Sequence, residues 1–535
     1  MRIFTAGRQE GDHFEKEMAR GFIGEVLLCI PSRVGAAAAA VVLMSSIASA
    51  QTWTPLTNQP TFNASTALLL TDGTVMVAAL ASADGYGSGQ WWKLTPDAAG
   101  SYVNGTWSQL ASLPSGYAPL YFASAVLPDG RVLVEGGEYN GASEAETNLG
   151  AIYQPTTNTW TSVSPPTNWP NIGDGQSVVL PNGTFMLGNC NYPPGSACYE
   201  SQLSEQALFN ASTLTWTVIA GTGKADPKSE EGWTLLPSGN VLTVDTEKGT
   251  NSELYNSATE AWSSAGSTGN SLVNSSCDGG FETGPAVLRP NGTVFALGGL
   301  SYTSIYNSAN GTWSDGPQLP SGLGVDDGPA AILPDGNVLV MAAPYSPCYS
   351  IGSTFYEFNG STLTKVQAPP NAPSEKSYEG RMLVLPTGQI LFTDGSSNVQ
   401  VYTPAGTYQS GWQPVVDSVP SSLTARGTYT VSGTQLNGLS QGAMYGDDAQ
   451  MATNYPIVRI TNSATGNVYY ARSFDFSTMS VAPNASGSAQ FTVPSNIPPG
   501  AGELVVIANG IPSEAVKVIA NPGALLAPII TLLLH

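Results

Sequence analysis

Carboxylates recur at one place in this chain. Asp174 stands in Gly173-Asp174-Gly175, Glu230 and Glu231 precede Gly232, and Glu282 precedes Thr283-Gly284. Asp326 and Asp327 precede Gly328, and Glu379 precedes Gly380. Each lies six to eight residues ahead of a turn proline, with Asn63 and Tyr121 near the same place in two further copies. Acids that converge raise one another's proton affinity unless cations or donors compensate. Three chemistries follow. The carboxylates cap loop N–H groups, or Asp174, Glu282, Asp327 and Glu379 hold a hard cation such as Ca2+, or they bind or act on a ligand. For the last, Tyr378 beside Glu379 is the candidate proton-transfer pair. Paired carboxylates also suit acid–base work on sugars. The bases nearest in sequence are Lys224, Lys228, Lys376 and Arg381.

Whether these acids meet depends on the elements behind them. Each precedes an apolar run, a turn ending in Gly, and a second apolar run, as in SVVLPNGTFMLGN, AVLRPNGTVFALGG and MLVLPTGQILFTDG. The turn occurs seven times, at Gly73, Gly130, Gly183, Gly239, Gly292, Gly336 and Gly388, with steps of 44 to 57 residues. Pro or Asp/Asn followed by Gly between β-branched runs is hairpin chemistry. A repeat near this length made of hairpins is a β-propeller signature. A third strand follows (AIYQPTTNTW, ELYNSATEAW), and then a Trp opens a fourth: Trp107, Trp160, Trp216, Trp262 and Trp313. These tryptophans read as wedges between blades. The seventh copy lacks a clean fourth strand, and residues 52–56 (TWTPL) supply one, closing the ring. The propeller therefore spans 51–412. Strand starts converge on the axis, so the carboxylates form a ring at the channel mouth.

Arg33 precedes GAAAAAVVLMSSIASA, with Ala48-Ser49-Ala50 as a small-residue cleavage site, so residues 1–50 read as a signal peptide. Met18 is an alternative start, and retention as a membrane anchor is the alternative fate. The chain is expected to be secreted or periplasmic. Its net charge of −21 opposes nucleic acid as a partner. No run after residue 50 is long enough to span a bilayer. In an exported chain Cys190, Cys198, Cys277 and Cys348 are expected in disulfides, pairing 190 with 198 and 277 with 348. Residues 522–535 form an apolar tail.

From residue 413 to 521 the repeat stops. Short alternating strands appear (TYTVSG, PIVRITN, NVYYARS, AQFTVPS, ELVVIAN), which read as an immunoglobulin-like β-sandwich. The fold class is all-β, a seven-bladed propeller followed by a sandwich. Gly-Gly after the second strand (Gly136-Gly137, Gly298-Gly299), seven copies, and the segment FTVPSNIPPGAGELVVIANGIPSEAVKV resemble the galactose oxidase/glyoxal oxidase superfamily, with its kelch-type propeller. The resemblance covers nearly all of residues 51–521 and implies architecture, not activity.

Enzymes of that superfamily are copper radical oxidases. The resemblance places their cross-linked Cys near Tyr121, its Tyr partner near Asp174, their Tyr-His pair at Tyr378-Glu379, and the sandwich His at Gln450 or Met451. Only Tyr378 matches. Beyond residue 50 the sole histidine is His535. A cupric site calls for imidazole ligands, so copper is not expected. The expected function is a binding module, for a glycan or a cation, at an acidic mouth formed by Asp174, Glu230, Glu231, Glu282, Asp327, Glu379 and Gln450. Asp447-Asp448 join them if the sandwich threads the axis. The partner is a carbohydrate or a cell-surface molecule. Exposed loop aromatics would serve it, the candidates being Tyr86, Trp91, Tyr139, Trp169, Tyr192, Trp233, Tyr302 and Tyr345; for many of them packing is the favoured reading. A divergent carbohydrate-active enzyme is the alternative, and a copper radical oxidase the further one.

Overall fold

The computed structural model describes residues 51–81, 85–188, 205–226, 231–247, 249–276, 282–445 and 450–522. Residues 1–50, expected as a signal peptide, lie outside them, as do Glu230, Cys190, Cys198, Cys277, Asp447, Asp448, Tyr192 and residues 523–535.

Seven antiparallel sheets of the repeat kind surround one axis. In the fifth, Thr283–Leu288, Thr293–Gly298, Thr303–Asn307 and Thr312–Asp315 pair in chain order. The turn glycines explain why each copy folds this way. All seven hold φ between 75° and 85°, a region closed to most side chains. Gly73 donates its N–H to the Leu70 carbonyl and Gly388 to that of Leu385, closing a type I turn with a left-handed final residue.

The last sheet runs Thr52–Pro55, Gln400–Thr403, Ile390–Thr393, Arg381–Val384. Its outer strand comes from the start of the described chain, with Trp53 opposite Tyr402. The Trp53 ring packs 4.9 Å from Tyr402, 5.1 Å from Phe355 and 5.5 Å from Phe392, and its indole N–H donates to Gln367 O in the preceding blade. Trp107 and Trp160 reach back one blade in the same way, to Asn58 O and Ala111 O. Trp53→Ala should cost about 3 kcal/mol, read as a lower midpoint in denaturant. An unchanged midpoint would show that the strand closes nothing.

Past residue 414 the chain forms a β-sandwich. One layer holds Val415–Ser418, Thr428–Thr434 and Ser486–Thr492; the other holds Ile457–Asn462, Gly500–Ala508, Val516–Ala520 and Ser422–Leu423. Strand Val468–Phe474 pairs with both layers. Val431, Val458, Ile460, Phe491, Leu504 and Val506 fill the space between them. The sandwich rests on the turn end of the propeller. Met479 N donates to Pro181 O, Phe476 N to Pro128 O, and Arg472 to Asp129 O.

One sandwich hairpin leaves its own layers. Gly442–Tyr445 and Gln450–Ala452 pair with each other, and the first pairs with the innermost strand of blade six, Pro329–Ile332. The hairpin also touches the inner strands of blades one, two, five and seven, so it fills the axis. Its register sets Tyr445 opposite Pro329, at the end away from the turns. The hairpin therefore fills the axis, and the acids lie toward the end away from the turns. No helix among the described residues is long and apolar enough to cross a membrane.

Candidate functional site

The mouth is built from loops that enter and leave the inner strands. Four tyrosines form a row across it. Tyr139 and Tyr121 lie 6.2 Å apart, Tyr121 and Tyr378 6.3 Å, and Tyr378 and Tyr349 5.3 Å, all edge to face. Tyr121 and Tyr349 hold φ of 52° and 55°. Left-handed backbone at a bulky residue is strained, and such strain gathers where a site over-determines its geometry. Glu146 and Asp327, also at the mouth, share that conformation at φ 42° and 46°. Two cations stand among the rings. Lys376 Nζ donates to the Tyr378 hydroxyl at 2.9 Å, and the Arg381 guanidinium lies 5.7 Å from the Tyr121 ring centre. Arg381 also donates to the carbonyls of Tyr378 and Gly380.

Carboxylates flank the row. Tyr349 donates to Glu282 Oε1 at 2.7 Å. Burial lifts Asp174 to about 6 against its own backbone N–H, and the charge of Glu282 adds to the lift. Glu146 is pushed to about 9 by burial and by the charges of Asp174, Glu138 and Glu144. Burial also lifts Asp326 to about 7; the Asn274 amide, 3.0 Å from Oδ2, opposes this, and Glu282 reinforces it. Glu375 rises to about 8 through burial and the charges of Asp394 and Glu379. The mouth therefore carries carboxyl groups that give up protons at different points from about 6 to about 9. Such a set can both donate and accept hydrogen bonds at neutral pH.

The expected ring of acids is only partly assembled. Asp174 and Glu282 sense each other, and Asp326 joins them. Glu379 turns back instead, accepting from Lys376 N at 3.0 Å to cap its own short helical turn. Glu231 leaves the mouth altogether. It is fully buried in blade four, where Lys224 Nζ donates to it at 2.6 Å and the Thr243 hydroxyl at 3.1 Å. Gln450 stands on the axial hairpin, opposite Met444. Among the described residues, Asp174, Glu282, Asp327 and Glu379 do not converge to metal-ligand distance, because each has been drawn to a separate partner or turn. Of the aromatics with a packing reading beside the ligand-contact one, Trp91, Trp169 and Trp233 are core residues at 2% exposure or less. Tyr86 and Tyr302 are exposed, and Tyr139 and Tyr345 half-buried. Cys348 is disulfide-bonded, with its Sγ 3.4 Å from the carbonyl oxygen of Ser276.

Sequence reasoning missed Glu146 and Tyr349. The signal for the first was an acid-rich insert, GGEYNGASEAETN, in the loop after the second strand of blade two. The second, beside Cys348 in the equivalent loop of blade six, carried no separable signal.

No family model matches this chain. A stretch of 120 residues, 22% of the chain, is 27% identical to the Kelch-like protein terF of Aspergillus terreus, and the match spans about a quarter of that protein's length. The resemblance is one of kelch-type fold. Among solved structures, a fungal alcohol oxidase of the AA5 family, in complex with copper, aligns over 88% of this chain and 99% of its own. It shares 16% identity at a TM-score of 0.49. YjhT aligns over 58% of this chain and 99% of its own, at 15% identity and a TM-score of 0.40.

The copper that the superfamily implies can be tested on the donor set. The matching positions offer phenols and carboxylates (Tyr121, Asp174, Tyr378, Glu379), and Met451 is buried on the hairpin. The chain's two histidines, His13 and His535, lie outside the described residues. Lys376 occupies the Tyr378 hydroxyl, and Arg381 lies near the Tyr121 ring. Two cations and no imidazole among the described residues do not fit a copper centre, and no step is derived through one.

Proposed function

We propose that the chain is a secreted binding module whose axial mouth takes a neutral, hydroxyl-rich ligand, a glycan. The observation that carries this reading is the row of four tyrosines, two of them in strained backbone, set beside part-protonated carboxylates. Sugar rings present apolar C–H faces and polar edges. Tyrosine offers a matching flat apolar body with a polar tip, and carboxyls that share protons bond to hydroxyls in either sense. Lys376 and Arg381 supply positive charge to the mouth from within, which favours a neutral ligand over a cationic one.

A second reading is favoured by Glu146 and Asp174. Neighbouring acids whose proton affinities are driven apart are the usual mark of an acid–base pair, and two carboxylates suffice for glycoside hydrolysis. One preparation tests both. Tyr349→Ala is expected to weaken binding to an immobilised glycan panel at least about tenfold, the loss of about 1.4 kcal/mol. Release of reducing ends that Glu146→Gln abolishes would establish the enzyme instead. No binding at millimolar glycan would overturn the module.

A further inference from the structure

Blade four holds an unusual charge group away from the tyrosine row. Lys224 Nζ sits among four carboxylates. It donates to Asp226, to Glu231 Oε1 at 2.6 Å, and lies 2.7 Å from Glu253 Oε2 and 3.7 Å from Asp245 Oδ1. The lysine and Asp226, Glu231 and Asp245 side chains have no exposed surface, and that of Glu253 only 4%. One ammonium cannot neutralise four buried carboxylates, and uncompensated charge in such a place is very costly.

The outer oxygens are not equal. Asp226 Oδ2 accepts from Glu247 N at 3.2 Å, Glu253 Oε1 from Ala225 N at 3.0 Å, and Glu231 Oε2 from Thr243. Asp245 is different. No N–H or hydroxyl donates to either of its oxygens, although it is wholly buried; it faces the Lys224 ammonium only at 3.7 Å and the neighbouring carboxyl of Glu253. Asp226, Asp245 and Glu253 also each present an oxygen within 4.8 Å of the others. That spacing and all-oxygen chemistry suit a hard divalent ion, which tolerates carboxylates with water completing its shell.

We propose that Asp226, Asp245 and Glu253 bind one hard divalent cation inside blade four, with Lys224 neutralising Glu231 beside it. The cation supplies two of the positive charges that the group lacks and gives Asp245 a direct ligand bond where the Lys224 ammonium stands only at 3.7 Å. The proposal is independent of the glycan reading.

The test uses the full chain stripped with EDTA. Titration with CaCl2 should show one bound equivalent and a higher melting temperature. Asp245→Asn should lose that equivalent; because it removes a buried negative charge, it should still fold. Tb3+ gives a second readout: Trp262, whose ring centre lies 5.5 Å from Lys224 Nζ, and Trp233, 5.8 Å from Trp262, should sensitise its emission, which Asp245→Asn should abolish. An absent equivalent and an unshifted melting temperature would overturn the proposal. So would an Asp245→Asn variant that binds Ca2+ as the parent does, since the ion would then sit elsewhere.

Discussion

Metal-free protein should lose thermal stability as pH rises from about 5 to about 8.5, the reverse of a protein held by ordinary surface carboxylates. Glu135, Glu231, Asp245 and Asp326 are all buried, and burial is the first cause that raises each of them. Asp245 is lifted to about 8 and Asp326 to about 7, against ordinary values near 3.8. The folded chain therefore keeps protons that the unfolded chain releases near pH 4. Between the unfolded and folded values the native state binds more protons, so stability is greatest on the acid side and declines as pH climbs. The decline for Asp326 ends at about 7 and for Asp245 at about 8. Each group contributes up to about 1.4 kcal/mol per pH unit within its window. Lys224 offsets part of this for Glu231 and Asp245, but nothing offsets it for Glu135. Both Glu135 oxygens lack hydrogen-bond partners, and the side chain packs against Gly150, where a Cβ would come within 2.0 Å of Oε2. A fall of at least about 5 °C in melting temperature is expected. Glu135→Gln should match the parent at pH about 5 and exceed it at about 8.5. A parent midpoint that rises with pH would show that these acids are ionised and compensated.

The architecture was legible because its determinants are local. A left-handed residue after a turn demands glycine, so Gly73 through Gly388 marked seven hairpins wherever they fell. A missing fourth strand in the last copy and a spare Trp53 strand at the other end pointed to one another. The site was less legible, because it depends on which partner each acid finds. Glu231 lies six residues ahead of its turn proline and Glu282 eight, and one meets Lys224 inside the blade while the other meets Tyr349 at the mouth. The offset alone does not name the partner; Lys224 comes from the loop before blade four and Tyr349 from a loop of blade six. The group in blade four gathers residues from a loop, a strand end and a third strand. Its trace was Asp245 closing the apolar run VLTV and Glu253 before Leu254 in NSELYN, acids that periodicity alone does not turn into a contact.

Lys224→Met should be the most damaging single change in the chain. The methionine preserves the apolar stem and its packing near Trp262 but removes the one ammonium among four carboxylates. Breaking a buried pair leaves uncompensated charge and costs about 3–5 kcal/mol, a large share of the stability of any domain. Here four carboxylates lose their one ammonium at once, so the upper end of that range is expected at pH about 8.5, above the value of about 8 to which burial lifts Asp245. Two controls separate electrostatics from packing. At pH about 5, where the lifted carboxyls hold protons, the loss should shrink by more than half. Adding Glu231→Gln and Asp245→Asn to Lys224→Met should recover most of the remainder, because replacing a buried ionic group by neutral residues of similar volume is often harmless. A loss that is the same at both pH values, and that the added substitutions leave untouched, would mean that Lys224 holds the blade by its stem rather than by its charge.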